Sequence, residues 1–220
     1  MRLIRVLSPV LLLLLLAVST GAWAAEPTPA EVAQRLQQAY DRTTSFSARF
    51  EQRTTVPMSS RSRKGSGTVV FLKPYKMRWD YQQPDVQVLV SDGKQVSLYV
   101  AASHQLMVRT MDEYLQSDVT YAFFSGRGRI MKDFTVAAAP PEKQLRGLYA
   151  IKLTPKVTHP QVDSLTLWVD PKQYFISRLE VVDQFGSVTT LVFANIELNP
   201  AVKPALFHFT PPPGTEILQQ

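Results

Sequence analysis

The sequence contains no cysteine and only three histidines among its 220 residues. The missing thiols exclude a disulfide framework, a cysteine nucleophile and a zinc site of the thiolate type. They also exclude a lipid-anchored amino terminus, because there is no thiol to acylate. His104, His159 and His208 lie in separate contexts without acidic residues at a metal-ligand spacing. We therefore expect no metal and no cofactor.

Long apolar runs are scarce as well, and the clearest one covers residues 10–18. Arg2 and Arg5 precede it, and Ala22-Trp23-Ala24 supplies a small-x-small cleavage pattern. This order is typical of a secretory signal peptide, and the run is too short for a comfortable membrane span. The sequence predicts a signal peptide over residues 1–24 that is cleaved after Ala24, followed by a single exported domain over residues 25–220.

Residues arranged for catalysis are also missing. Ser91-Asp92-Gly93 lacks the Gly-x-Ser-x-Gly elbow of a hydrolase and is typical of a tight turn with Gly93 at positive φ. We predict no catalytic residue and no enzymatic activity. The formal net charge is +6, and loss of Arg2 and Arg5 with the signal peptide leaves +4. This mildly basic balance suits an anionic membrane surface or an acidic partner. Nucleic acid is not expected as a partner of an exported protein.

The clearest strand pattern covers residues 67–93. Pro74 and Pro84 divide it, because proline lacks a backbone N–H and disfavours helix in the residue before it. Alternation places one set of large apolar residues on a single face. These residues are Val69, Phe71, Met77, Trp79 and Tyr81. Lys73 continues the same stripe, so its ammonium must either reach water or bond to main-chain carbonyls.

The remaining chain extends this pattern. A helix is predicted over residues 29–42, with Thr28 and Glu31 as a capping box. We interpret residues 57–64 as a polar, basic hairpin loop. Residues 111–129 lose the strand period and predict short helices rich in aromatic groups. Roughly nine to eleven antiparallel strands predict an α+β fold, a curved sheet forming an unclosed half-barrel with an N-terminal helix and a short helical lid over an apolar cavity.

Several short motifs, in order along the chain, resemble the outer-membrane lipoprotein carrier family, the LolA-like periplasmic chaperones. The motifs are Phe50-x-Gln52, Gly67 before Phe71-Leu72-Lys73-Pro74, Arg78-Trp79-x-Tyr81-x-x-Pro84, Leu89-Val90-Ser91-Asp92-Gly93-Lys94 and Phe207-x-Phe209-x-Pro211-Pro212 with Gly214. Their order and spacing match the family over nearly the whole exported domain.

The resemblance implies a periplasmic chaperone that takes lipoprotein acyl chains from an inner-membrane ABC-type exporter to an outer-membrane receptor. It assigns an acyl-chain cavity to Phe50, Val69, Phe71, Met77, Trp79 and Tyr81. It assigns the lid to the segment that holds Tyr114, Leu115, Tyr121, Phe123 and Phe124. Lys73 stands where some family members have a basic residue, often arginine, that holds the lid closed; we call this contact the latch. We expect a monomer.

Other interpretations share this fold. A carrier or sensor of another lipid or glycolipid remains an alternative function. An apolar cavity selects its ligand by the apolar area that it buries more than by the ligand's chemical identity. An outer-membrane receptor is disfavoured by the lack of cysteine, and an envelope-stress regulator would usually carry a second domain. A lipid hydrolase is the alternative from a different class, and it would depend on one polar residue.

Overall fold

The computed structural model describes residues 26–59, 62–117, 128–159 and 161–219. One sheet of twelve strands dominates this part of the chain, in the order β12-β6-β5-β4-β3-β2-β1-β11-β10-β9-β8-β7. The strands are β1 Ser45–Thr55, β2 Ser62–Leu72, β3 Lys76–Gln83, β4 Gln87–Asp92, β5 Gln95–Val100, β6 Gln105–Thr110, β7 Phe134–Ala138, β8 Tyr149–Pro155, β9 Ser164–Val169, β10 Ile176–Val182, β11 Val188–Leu198 and β12 Glu216–Gln219.

The sheet stays unclosed, because β12 and β7 form its two edges. Neighbouring strands are antiparallel except β12, which runs parallel to β6. A sheet of this length curls, and here it curls around helix α1. Val96 on β5 and Ile151 on β8 both pack into the cluster that buries this helix. The predicted α+β class and the unclosed antiparallel sheet are confirmed.

Helix α1, Pro29–Arg42, has the predicted bounds. The Thr28 hydroxyl accepts the N–H of Glu31 at 3.3 Å, and the Glu31 carboxylate accepts the N–H of Thr28 at 2.7 Å. This capping box satisfies two main-chain donors that a helix start otherwise leaves unpaired. Helix α2, Met111–Ser117, and helix α3, Ile130–Asp133, are short. None of the helices described is long and apolar enough to cross a membrane.

Both faces of the sheet carry apolar clusters. The concave face packs α1 against the inward residues of most strands. On the outer face, Phe207 packs with residues of β4, β5 and β6. A second outer segment covers β8 and β9, where the Trp168 indole N–H donates to the carbonyl of Lys143 at 2.7 Å. Every residue of β9 is therefore buried, in agreement with its nearly continuous apolar sequence.

Two predictions about strand bounds are wrong. Residues 62–64, assigned to a polar loop, form the start of β2 and pair with residues 53–55 of β1. Their side chains are exposed, so no apolar alternation marks a strand that main-chain hydrogen bonds hold. Strand β12 is not among the predicted strands. It is defined by pairing with β6, which is distant in sequence. The predicted signal peptide and residues 118–127 of the predicted lid lie outside the described residues.

Candidate functional site

The floor of the concave face is a set of aromatic rings contributed by neighbouring strands. The Phe50 ring centroid lies 4.8 Å from that of Trp79, and equally far from that of Tyr81, both in edge-on geometry. Phe71 meets Trp79 edge-on at 6.0 Å and stacks on Phe46 at 5.2 Å. These contacts arise because β2 lies between β1 and β3, and inward positions of the three strands share one row.

The six residues predicted for the cavity lie together on this face. Val69 and Met77 are 0% and 1% exposed, and Phe50, Phe71 and Trp79 are also buried. Tyr81 is half-buried, and its hydroxyl donates to the side-chain carbonyl oxygen of Gln52 at 2.8 Å. Five of the six are therefore packed core, and Tyr81 is the member that borders open space.

That open space is a groove of about 270 Å³ over β3 to β6. Its lining is mostly apolar and consists of Tyr81, Gln87, Leu89, Val96, Leu98, Met107, Arg109 and Tyr114. Pairing places Leu98 of β5 opposite both Leu89 of β4 and Met107 of β6. The resemblance did not assign Leu89, Val96, Leu98 and Met107 to the cavity. The alternation in residues 87–108 could have identified them once the strand order was known.

Helix α2 forms one wall of the groove. Tyr114 is half-buried and packs against the concave cluster while it also lines the groove. The helix begins with a second capping box, in which the Glu113 carboxylate accepts the N–H of Thr110 at 3.0 Å. Hydrogen bonds from Thr110 lower the pKa of Glu113. Of the other predicted lid residues, Leu115 lies in α2, and Tyr121, Phe123 and Phe124 lie outside the described residues.

Lys73 lies where β2 ends, next to the carboxyl end of α1. Its ammonium donates a hydrogen bond to the main-chain carbonyl of Tyr40 in the last turn of that helix. Cations suit this end of a helix, where carbonyl groups lack partners. Burial lowers the pKa of Lys73, Asp41 opposes this shift, and Arg129 adds to it. The contact observed for the predicted latch residue is thus with α1.

Residues that follow the predicted lid are tied to the same helix. The Arg129 guanidinium forms an ion pair with the Asp41 carboxylate at 3.0 Å. The main-chain N–H of Ile130 donates to the Gln37 side chain at 3.0 Å. Asp133 accepts the N–H of Arg129 at 2.7 Å. Lys73 and the residues that follow the lid segment therefore contact the last turns of α1.

The site has the chemistry of an apolar binding surface. Among the residues described, no group of three histidine, cysteine or acidic side chains could hold a metal ion. The lining residues that carry a polar side-chain group are Gln87, Arg109, Tyr81 and Tyr114. Such a surface binds chains of methylene groups through buried area.

The family described as "Outer membrane lipoprotein carrier protein LolA" matches residues 41–210. This chain belongs to the LolA family. The outer-membrane lipoprotein carrier protein of Nitrosomonas europaea is 32% identical over 193 residues, which cover 88% of this chain and 91% of that protein. The protein of the same name from Bordetella pertussis is 32% identical over 202 residues, which cover 91% of this chain and 93% of the relative.

A solved structure agrees on the fold of this LolA family member. An uncharacterized conserved protein from Thermus thermophilus superposes with a TM-score of 0.54 at 12% identity. The match covers 87% of this chain and 98% of the other. At that identity the likeness supports the fold alone. The LolA family is one of carriers and is not a class of enzymes.

Proposed function

We propose that this chain is a periplasmic chaperone that binds the acyl chains of lipoproteins and carries them towards the outer membrane. The observation that carries the proposal is the family match over residues 41–210. It is supported by the apolar groove beside the aromatic floor. A carrier of this kind needs apolar area and no catalytic group, so we propose no enzymatic activity.

The physics of the task fits this arrangement. Acyl chains cannot cross an aqueous compartment exposed, because each buried methylene is worth about 0.8 kcal/mol. Ligand pockets commonly have volumes of about 300–1,000 Å³. A groove of about 270 Å³ must therefore widen to take acyl chains. Tyr114 and α2 are the wall that can move, since strands β3 to β6 form one continuous sheet.

The predicted site residues keep distinct parts in this proposal. Phe50, Val69, Phe71, Met77 and Trp79 are packed core in this structure and become the floor for the chains when the groove widens, and Tyr81 leads from this floor into the groove. Tyr114 and Leu115, with Tyr121, Phe123 and Phe124, form the lid. Lys73 acts as the latch through its contact with α1. Arg129, which follows the lid segment, is bound to the same helix.

The route and the partners belong to the same proposal. Residues 1–24 act as a signal peptide that directs export and is cleaved after Ala24. The carrier accepts its cargo from an inner-membrane ABC-type exporter and delivers it to an outer-membrane receptor. We propose that it works as a monomer, with one groove for one cargo molecule.

A release assay tests the proposed function. Purified protein is added to spheroplasts, and we expect lipoproteins destined for the outer membrane to enter the soluble fraction in a one-to-one complex. Met107→Glu places a carboxylate in the groove and should abolish release, because a charged group against acyl chains is strongly unfavourable. Ile217→Glu is the matched control, since Ile217 lies on the adjacent strand β12 and is 57% exposed.

Absence of release by the folded protein would contradict the proposal. If mass spectrometry then finds a different lipid in the purified protein, the groove keeps its role and the cargo is another lipid or glycolipid. Equal release by Met107→Glu and Ile217→Glu would remove the groove from the mechanism.

A further inference from the structure

The most exposed large apolar side chains are unevenly distributed. In the described part of the chain, five of them are more than half exposed: Met58 at 108%, Phe185 at 85%, Val157 at 81%, Ile217 at 57% and Val86 at 54%. Ile217 lies on edge strand β12. The other four lie in connections between strands, where polar turn residues are the norm.

These four connections share one rim of the sheet. They are the β1–β2, β3–β4, β8–β9 and β10–β11 connections, and the antiparallel strand order places all four at the same ends of their strands. Thr55 at the end of β1 pairs with Ser62 of β2 and also with Val188 of β11. We call the β1–β2, β8–β9 and β10–β11 connections the turn rim.

The members of the turn rim touch one another. The Gln184 side-chain amide donates to the carbonyls of His159 at 3.2 Å and Val162 at 3.0 Å, which joins β10–β11 to β8–β9. A Cβ built on Gly186 would lie 3.3 Å from Cγ of Pro57, so β10–β11 also lies against β1–β2. Met58, Val157 and Phe185 are therefore carried by adjoining turns.

The turn that bears Phe185 has a defined geometry. The Asp183 carboxylate accepts the N–H of Phe185 at 2.9 Å and that of Ser187 at 2.8 Å. This Asx turn holds the backbone while the ring stays in solvent. An exposed aromatic ring on an ordered turn, beside two other exposed apolar tips, marks an interaction surface.

Cations lie directly behind these tips. Arg53 and Lys64 are paired across β1 and β2, and Arg63 pairs with Thr54. Like charges opposite each other on a sheet are destabilising. Among the described residues, no ion pair joins any of these three cations to a carboxylate. Arg53 and Lys64 also border an outer-face cavity of about 780 Å³ together with Arg178, and Glu51 is the one acidic residue of its lining.

Apolar tips in front of these cations fit a bilayer that contains anionic lipids. The tips can enter the boundary between headgroups and acyl chains, while the cations meet the phosphates. A bilayer surface can also be entered by apolar side chains that lie on separate turns. We infer that the turn rim docks on anionic bilayer surfaces through Met58, Val157 and Phe185, with Arg53, Arg63 and Lys64 at the headgroups. This contact is additional to cargo binding and does not use the groove.

Vesicle flotation tests the inference without any lipoprotein. The purified protein is mixed with vesicles of phosphatidylcholine alone or of phosphatidylcholine with phosphatidylglycerol. We expect the protein to bind the anionic vesicles. Binding should weaken at least about tenfold at about 1 M salt, where the Debye length falls to about 3 Å. The variant Met58→Ser, Val157→Ser, Phe185→Ser should bind about tenfold more weakly than the wild type because it has lost its apolar tips. Ile217→Ser is the matched control with the same change at a distant exposed site.

Each of the following outcomes would overturn the inference. The first is that the wild type does not bind anionic vesicles, and the second is that the triple variant binds as well as the wild type. Binding to native membranes but not to protein-free vesicles would identify a membrane protein as the partner instead. A groove variant, Met107→Glu, separates the two sites: it should lose cargo and keep vesicle binding. If it loses vesicle binding while the triple variant keeps it, the contact runs through the groove and the rim has no part.

Discussion

At the scale of the residue, Lys73 is the most informative side chain of the site. The sequence places it on the face shared by Val69 and Phe71, and it left two destinations open for the ammonium. The structure selects the main-chain carbonyl of Tyr40. A hydrogen bond from a charged donor to a helix end stabilises the folded state, while half-burial of the ammonium costs part of that gain.

Removing the Lys73 ammonium should loosen the carboxyl end of α1. We expect Lys73→Leu to lower the free energy of unfolding by about 1 kcal/mol, because a charge-assisted hydrogen bond is lost and burial of the charge is relieved. Lys73→Arg keeps donors at the position and should stay close to the wild type. Urea unfolding measures the stability. Amide exchange at Thr43, whose N–H bonds to the Tyr40 carbonyl at 3.1 Å, reports the local effect.

Lys73→Leu should also change the rate of cargo uptake or release if the latch acts on the lid. An unchanged exchange rate at Thr43 together with unchanged transfer would rule out both roles. A change in exchange alone would leave Lys73 as a cap of α1 without a part in the carrier cycle.

At the scale of the element, β2 and β3 depend on one close approach. Gly67 lies at a register shift between β2 and β3. A Cβ there would lie 1.9 Å from the carbonyl oxygen of Asp80 and 2.9 Å from its carbon. Both atoms belong to the backbone, so no side-chain rotation relieves the overlap. The glycine is needed because the two strands approach closely at this point.

Gly67→Ala should therefore destabilise the protein by about 2–3 kcal/mol, the upper part of the range for overpacking. Gly65→Ala is the matched control on the same strand. Its Cβ would meet the ring of Tyr81 at 3.2 Å, and a side chain can move aside. We expect the control to lose less than about 1 kcal/mol. Equal losses in urea unfolding would contradict a backbone overlap at Gly67.

Elements with a strong sequence period were predictable. Helix α1 combines an apolar stripe with a capping box, and the strands between Lys76 and Val100 combine alternation with turn residues. The start of β2 and the whole of β12 were not predictable, because main-chain pairing rather than apolar alternation defines them. Gly93, expected at positive φ, has a φ of 100°.

At the scale of the whole molecule, apolar packing covers part of each face of the sheet. The segment around Phe207 closes the outer face over Val88, Val90, Tyr99 and Leu106. The Arg78 guanidinium donates to the carbonyl of Leu206 at 3.0 Å and fixes this segment. This outer segment therefore braces strands β3 to β6, whose opposite face carries the groove.

Phe207→Ala tests this brace. The side chain is 2% exposed, and we expect a loss of about 3–5 kcal/mol in the free energy of unfolding from the lost contacts and the cavity left behind. Leu206→Ala is the matched control, because Leu206 is the adjacent residue and is 37% exposed. It should cost less than about 1 kcal/mol. Similar losses in thermal or urea unfolding for the two variants would contradict the role of Phe207.

The sequence by itself determined the class of the fold, the family and the apolar face that holds Phe50, Phe71 and Trp79. Local chemistry carries that information: period-two alternation, prolines, turn residues and short motifs in a fixed order. The tertiary structure decided which residues border open space, which carbonyl Lys73 meets and which turns stand side by side at the rim. These features depend on strand order and on pairing between distant segments. Leu98 and Met107 become groove residues, and Met58 and Phe185 become neighbours along one rim, only when the sheet has curled and brought its strands into register.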